Sequence, residues 1–300
     1  MGIGTWAMGG GQGGSSNLGS TDDHESIAAV HRGLDLGFNW IDTAAYYGFG
    51  HSEEIVARAL KGMKEPPYVF TKCGLVPAEG GQEAHEFRLK AWSVRAEVEA
   101  SLSRLRTEVL DLVMLHWPIP DEDVEEGWEA LYELQQQGKV RFIGVSNFSV
   151  EQLKRCEQIT HVDVHQVEYS LINRLVQDNL LPFAEAKDIG VLAYSPLKHG
   201  LLSGSMTRER VAALEAQDWR NGHPQYSEPL LSENLRVVEV LRTIAKRHCC
   251  SPAEVAIAWT LAGTAVAGAI VGGRRPSQFT DIVGAGKVEL SNEDLAELER

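Results

Sequence analysis

Short, β-rich apolar runs alternate with helical stretches from one end of the chain to the other, and this alternation constrains the fold more than any other feature. Runs at Gly2–Trp6, Phe38–Asp42, Tyr68–Lys72, Val109–His116, Val140–Ser146, Val162–Glu168, Gly190–Ser195 and Gly268–Val271 read as buried strands, several ending in a polar residue. Helical patterns follow at Ser26–Leu36, Ser52–Leu60, Trp92–Leu105, Val124–Gln137, Val150–Gln158, Gln177–Lys187, Leu235–Arg247, Ala253–Leu261 and Pro276–Val283. Eight strands, each followed by a helix, imply a parallel sheet, because a parallel neighbour needs a crossover connection. An open doubly wound sheet is the rival arrangement. The rhythm runs over all 300 residues with no change of composition and no evident linker. That favours one α/β domain over residues 1–300, a closed (β/α)8 TIM barrel. Two long segments break the rhythm, Val76–Lys90 and Ser195–Leu231. In a barrel, such βα loops cover the C-terminal mouth, where sites lie.

The charge balance narrows the partners. Lys and Arg number 28 against 42 Asp and Glu, a net charge of −14. Such a surface repels phosphate backbones, which argues against nucleic acid while leaving room for a local basic site for one small anion. No apolar run approaches the ~18 residues of a membrane helix. The opening Met1-Gly-Ile-Gly-Thr-Trp6 lacks the charged-then-apolar pattern of a signal peptide. The cysteines, Cys73, Cys156, Cys249 and Cys250, have no CxxC spacing. The expectation is a cytoplasmic chain with reduced, mostly structural thiols and no membrane partner.

The strand ends carry the chemistry. The second strand ends in Asp42, with Tyr47 five positions on; the third ends in Lys72 and the fourth in His116. A tyrosine with a pKa near ~10 is a poor acid at pH 7. A neighbouring ammonium lowers that value, a carboxylate holds the ammonium, and a histidine orients a substrate oxygen or helps move the proton. The set suits acid/base work on a carbonyl or alcohol. Singly, each residue has a structural explanation, as a turn cap or a core histidine. On three adjacent strands together they point to function. Glu79, Glu83, His85, Glu86 and Arg88 crowd the Val76–Lys90 loop without a metal-ligand spacing and read as solvated, so no metal is expected. The glycine-rich Gly10–Gly14 opens no helix and is a weak phosphate cradle. Gly62 reads as a helix C-cap, and Ser251–Glu254 as a capping box with proline at the first helical position.

Taken in order, the motifs resemble those of the aldo-keto reductases over nearly the whole chain. Asp42-Thr-Ala-Ala-Tyr-Tyr47-Gly48, Lys72 and Leu115-His116-Trp117-Pro118 are similar to that family's catalytic tetrad motifs. Gly144-Val-Ser-Asn147-Phe and Gln166-Val-Glu-Tyr-Ser170 are similar to its nicotinamide-amide motifs, and Ala193-Tyr194-Ser-Pro-Leu197 to the strand whose aromatic residue stacks on the nicotinamide. The resemblance implies reduction of an aldehyde or ketone to the alcohol, with NADPH as cofactor and NADH as an alternative. It implies Tyr47 as general acid, Lys72 as the group that lowers its pKa, Asp42 as the anchor of Lys72, and His116 as the group that orients the carbonyl. Ser146, Asn147 and Gln166 would bond the carboxamide, and Tyr194 would lie under the ring. Ser195, Leu197, Gly200, Leu201 and Gly204 belong to the same cofactor segment, and Trp6, Tyr46 and Trp117 would line the substrate pocket. The final strand and helix resemble the segment that holds the adenosine 2′-phosphate. Its candidates are Gly272, Arg274, Arg275, Gln278 and Asp281, with Arg274 the stronger contact and exposed N–H groups at the helix start favouring an anion.

The chain departs from that pattern in three places. Only Met1 precedes Gly2, so the hairpin that closes the barrel bottom in many relatives is expected to be absent or trimmed. Ser205 stands where relatives commonly carry Lys, and Asp281-Ile282 where they often carry Glu-Asn, which implies looser pyrophosphate and adenine contacts. Trp219, Arg220, Asn221 and His223 in the second long loop suggest a polar or sugar-like carbonyl. A second reading is a redox-sensing nicotinamide-binding subunit with little turnover, against which the intact tetrad argues. A third, a barrel hydrolase, needs a metal or a carboxylate pair at the strand ends, and neither is evident.

Overall fold

Successive strand residues point to opposite sides of a sheet, and in the computed structural model one parity fills the inside of a closed barrel. The structure describes residues 1–10, 22–78, 85–216 and 218–299. Its strands are β1 (Gly2–Gly4), β2 (Trp40–Asp42), β3 (Tyr68–Cys73), β4 (Leu75–Pro77), β5 (His85–Phe87), β6 (Leu110–Leu115), β7 (Val140–Ser146), β8 (Val164–Glu168), β9 (Gly190–Tyr194) and β10 (Val266–Gly272). Eight of them close in the order β1-β10-β9-β8-β7-β6-β3-β2, every neighbouring pair parallel. Trp40, Phe70, Leu112, Met114, Val164, Leu192 and Ile270 pack inside. Residues of the other parity, such as Ile41, Val113, Leu115, Val145, Val191 and Val271, are buried against the helices.

The crossovers are α1 (Asp23–Asp35), α2 (His51–Leu60), α3 (Ala91–Leu105), α4 (Val124–Gln136), α5 (Val150–Cys156), α6 (Leu180–Ala186), α7 (Arg208–Ala212), α8 (Leu230–Arg247) and α9 (Pro252–Leu261), with α10 (Pro276–Thr280) and α11 (Asn292–Leu298) closing the chain. Their ends follow local chemistry. The Asp22 carboxylate accepts from the His24 and Glu25 N–H groups at the start of α1. Ser149 with Gln152 and Ser251 with Glu254 form capping boxes for α5 and α9, the latter with Pro252 in the first turn. Gly62, just past α2, has a φ of +81°. No described helix is long and apolar enough to cross a membrane.

The differences from the sequence reading have local causes. The second strand starts at Trp40, not Phe38, because Phe38 turns away to pack edge-on against Phe279, ring centres 5.5 Å apart. The first ends at Gly4. Thr5 gives both its N–H and its hydroxyl to the Asp42 carbonyl, and the chain then coils into a 3-10 turn at Trp6–Met8. Val76–Lys90 is not an open loop: β4 and β5 pair antiparallel within it. Ser195–Leu231 folds over a small core of its own, Leu201, Met206, Tyr226 and Leu231, and α8 begins at Leu230, earlier than the periodicity indicates. Residues 11–14 of the glycine-rich run, with Glu79 and Glu83, lie outside the described residues.

Candidate active site

Two positions beyond the barrel-filling Trp40, Phe70, Met114, Val164 and Leu192, the same strand faces carry Asp42, Lys72, His116, Gln166 and Tyr194. A side-chain period of two thus delivers them to one mouth of the barrel. Lys72 is the centre of the group and is only 1% exposed. Its ammonium donates to Asp42 Oδ1 and Oδ2 at 2.9 and 2.8 Å, to the Thr43 carbonyl at 2.8 Å, and to Tyr47 Oη at 3.4 Å. Asp42 Oδ1 also accepts from Gln166 Nε2 at 2.7 Å. The turn beneath is tied by Ser52 Oγ, which donates to Thr5 Oγ1 at 2.7 Å and lies 3.0 Å from Thr43 Oγ1. A buried ion pair tolerates its desolvation only with such added bonds.

Tyr47 sits in the turn after β2. Gly48, next to it, has a φ of +61°, and a Cβ there would lie 2.0 Å from the Gly9 carbonyl oxygen. Only glycine lets the tyrosine turn close on the chain behind Trp6. The Tyr47 ring lies edge-on to His116, centres 5.9 Å apart, and Trp117 lies along His116 at 6.3 Å. Burial pushes the Tyr47 phenol well above 10, and the Asp42 charge pushes the same way. The sequence expectation that Lys72 leaves this pKa lowered is corrected: burial, the larger influence, and the Asp42 charge leave it raised instead. Burial also lowers Lys72, against the pull of Asp42. Burial first, and then the Lys72 charge, holds His116 well below 6.5, so its imidazole is neutral. The mouth therefore holds a protonated phenol, an ammonium–carboxylate pair and a neutral imidazole.

On the far side of the mouth, Ser146 and Gln166 pair in register at the ends of β7 and β8. Asn147, in a left-handed conformation with φ +64°, donates through Nδ2 to the His116 carbonyl at 3.1 Å and to Ser146 Oγ at 3.0 Å, and its Oδ1 accepts from Tyr194 Oη at 2.9 Å. Its two amide protons are thereby engaged, so Asn147 is a strut linking three site residues, which the expected carboxamide contact did not foresee. The Ser146 hydroxyl proton and Gln166 Oε1 take no part in these bonds. Beyond Tyr194, Ser195 is left-handed with φ +54°, and Gly200 and Gly204 flank the turn at Leu201–Ser203 with φ of +92° and +81°. Leu201 is fully buried in the loop's own core, and Leu197 is partly buried against the main one.

The β10–α10 corner is less open than its sequence suggests. The N–H groups of Arg274 and Arg275 both donate to Gln278 Oε1, at 2.8 and 3.0 Å, and are already satisfied. Arg275 reaches across to Glu25 of α1 at 3.6 Å, whereas Arg220 grips Asp218 at 2.6 Å and holds down its pKa, with help from the Arg274 charge. Asp281 lies exposed at the end of α10, its carbonyl accepting from Ser251 Oγ, and Ile282 is buried among apolar neighbours. Beside Ser205, Arg210 supplies a guanidinium, 3.0 Å from Ser205 Oγ.

Residues 1–300 match the sequence profile of the Aldo/keto reductase family. The chain belongs to this family. Among its relatives, an NADH-specific methylglyoxal reductase from Escherichia coli is 33% identical, over 98% of this chain and 91% of the relative. A glycerol dehydrogenase from Gluconobacter oxydans superposes with a TM-score of 0.90 at 34% identity, over 99% of this chain and 89% of that one. An aldo/keto reductase from Klebsiella pneumoniae, solved with NADP and acetate, superposes at 0.72 with 28% identity, over 100% of this chain and 89% of that one. Both nicotinamide cofactors thus occur among relatives of this aldo-keto reductase, which is an oxidoreductase.

The reductase's two long segments bring further side chains to the mouth. His199, after the Tyr194 strand, lies 5.5 Å from the Trp6 ring and 4.7 Å from Trp219, and burial lowers its pKa to about 4. Its place in Lys198-His-Gly, directly behind the Tyr194 motif, was a signal that could have found it. His85 is the other, set on β5 beside Tyr46. The β4–β5 hairpin is fixed to the end of β3 through Gly74, whose φ is +98° and whose N–H donates to Glu97 Oε2 at 2.8 Å. Burial raises the Glu97 carboxyl from 4.5 to about 7, against the bonds from Gly74 and Ser93. An acid whose folded pKa is raised binds more protons folded than unfolded, so its contribution to stability falls as pH rises through that window. Glu97→Gln keeps an acceptor and removes the charge. Relative to wild type it should gain about 2 kcal/mol between pH 5 and pH 8, at ~1.4 kcal/mol per pKa unit less some solvent screening. Chemical denaturation across that range checks it, and a pH-independent difference would contradict the assignment.

Proposed function

We propose that this aldo-keto reductase reduces a small, polar aldehyde or ketone to the alcohol with NADPH, using Tyr47 as the proton donor. The observation that carries the reading is the buried Lys72 ammonium, clamped by Asp42 and pointing a proton at Tyr47 Oη beside a neutral His116. Burial keeps the phenol protonated, which is the form an acid needs. The charge left on Oη by proton transfer appears next to an ammonium already aimed at it, so little reorganisation is required. A neutral imidazole at His116 donates an N–H to the carbonyl oxygen without competing for its proton. NADPH, when bound, supplies the hydride, and the protein's share is orientation and the proton.

The residues present fit that cofactor. A primary carboxamide needs a donor for its oxygen and an acceptor for its N–H, and the Ser146 hydroxyl and Gln166 Oε1 are a matching pair at adjacent strand ends. Tyr194, fixed by Asn147, offers a ring face for stacking. Trp6, Tyr46 and Trp117, with His199, make a wall of aromatic and imidazole groups suited to a small polar substrate. The names of the methylglyoxal reductase and glycerol dehydrogenase relatives support the same class. Arg274 is the residue proposed for the 2′-phosphate, Arg275 being drawn towards Glu25. The test of the reading is NADPH consumption with a panel of aldehydes, ketones and sugar-derived carbonyls; no turnover with any of them would overturn it. A charge-assisted bond is worth roughly 1.5–3 kcal/mol, or about ten- to a hundred-fold in affinity. Arg274→Ala should weaken NADPH by that factor and leave NADH nearly unchanged, measured by quenching of protein fluorescence. Equal losses for both would remove the 2′-phosphate role.

A further inference from the structure

The proposed proton donor and its lysine sit on different elements, Tyr47 in the turn that leads into α2 and Lys72 on β3. Their direct contact is long, 3.4 Å from Nζ to Oη, so a small shift of one element against the other decides it. The Ser52 N–H in the first turn of α2 donates to the Tyr47 carbonyl at 3.1 Å, which joins the turn to the helix start. The next residue, Glu53, is fully buried. Its Oε1 accepts from the Thr71 hydroxyl at 2.6 Å and its Oε2 from Arg104 Nε at 2.5 Å. Thr71 precedes Lys72 on β3, and strand alternation sends the two side chains to opposite faces. Glu53 thus ties, from behind the strand, the turn that carries Tyr47 to the strand that carries Lys72. Arg104 of α3 completes the tie. It crosses the chain at Gly50, which has a φ of +99° and where a Cβ would lie 2.6 Å from Arg104 Cδ, so only glycine leaves it room.

A buried ion pair is a poor stabiliser beside well-packed apolar residues of the same size, so stability alone does not account for a carboxylate at this position. What an apolar residue could not supply is directed bonds and charge. Burial lowers the Lys72 ammonium; Asp42, and after it Glu53, oppose that pull. Asp42 of β2, Tyr47 and His116 are the other groups that face Lys72. On the outer side of β3, Thr71 and Arg104 face Glu53. Cys73, raised by burial and then by the Glu97 and Glu53 charges, and Glu97, raised by burial, are the further ionisable groups there. We infer that Glu53 is a positioning residue for the proton-transfer step: it fixes the Tyr47 turn onto the Lys72 strand and backs the ammonium with a second negative charge. The inference rests on the carbonyl-reductase reading and extends its proton-donating machinery beyond the four residues at the mouth.

The experiment measures kcat for NADPH-dependent aldehyde reduction across neutral and alkaline pH, with melting temperature and NADPH affinity followed alongside. Glu53→Gln keeps the shape and removes the charge. Its kcat should fall roughly ten- to a hundred-fold, the scale set by misplacing reacting groups by about 1 Å. The alkaline limb of its kcat profile should move to lower pH, because burial then pulls the Lys72 ammonium down against less opposition. KM and NADPH affinity should hold, since Glu53 lies behind the strand. Glu53→Asp, with the charge on a shorter arm, should return the limb towards wild type. Thr71→Val removes one bond of the tie and leaves every charge, so kcat should fall while the limb stays. If Glu53→Gln does not fold with Arg104 left unpaired, Glu53→Gln combined with Arg104→Gln removes both charges and should show the same shift of the limb. A lowered melting temperature with kcat and the limb unchanged in these variants overturns the inference and leaves carbonyl reduction standing. A wild-type enzyme that reduces no carbonyl overturns the reductase reading itself, and this inference with it.

Discussion

Tyr47→Phe should lower kcat for carbonyl reduction by roughly 10²–10⁴-fold, the range for loss of one general acid. The substitution removes one oxygen and leaves the ring edge-on to His116, so NADPH affinity and melting temperature should stay close to wild type. Single-turnover mixing of the NADPH-loaded enzyme with a reactive aldehyde measures the chemical step directly. The loss should be the same in kcat and in kcat/KM, because the proton is transferred only on the way to the transition state. Near-normal turnover in this variant would mean that the proton comes from elsewhere, and the tetrad assignment would fall.

Lys72→Met should be nearly as damaging. Without the ammonium, the charge left on Tyr47 Oη has no counter-ion in a buried site. The phenol pKa then rises further, with burial and Asp42 both pushing upward. The fall in kcat should be on the order of 10²-fold or more. Stability must be followed in parallel, because Asp42 is left buried without its partner, a change that typically costs ~3–5 kcal/mol. Asp42→Asn should reduce kcat less, since it loosens the ammonium without removing it. Its new amide hydrogens would face the Gln166 amide, which now donates to Asp42. Negligible loss of kcat in both variants, with the fold intact, would contradict the model of a charge-supported acid.

Much of this site was legible because strand geometry is simple. Once Trp40, Phe70, Met114 and Leu192 are read as barrel-filling, counting on by two reaches Asp42, Lys72, His116 and Tyr194 without any tertiary knowledge. The sign of the Tyr47 pKa was not legible, because desolvation depends on what surrounds the phenol and a motif does not show it. Arg274 and Arg275 were read as one phosphate grip. Arg275 lies 3.6 Å from Glu25 of α1, and the Arg274 charge is felt by Asp218, acidic groups that sequence spacing does not reveal. The β4–β5 hairpin escaped notice because three-residue strands are too short for a period to register. His85, read as solvated, is indeed exposed, and its contact with Tyr46 is what the sequence did not show.

The bond from Gln166 Nε2 to Asp42 Oδ1 joins residues 124 positions apart in the chain. One amide thus has its nitrogen on the counter-ion of the catalytic lysine and its oxygen free towards the proposed carboxamide position. Cofactor grip and acid strength are therefore not independent dials. A substitution at Gln166 made to change nicotinamide affinity should also disturb the field around Tyr47, and a substitution at Asp42 should shift the amide proposed to receive the cofactor. A designer wishing to re-tune this enzyme's cofactor choice has more freedom at the β10–α10 corner around Arg274 than at the nicotinamide end.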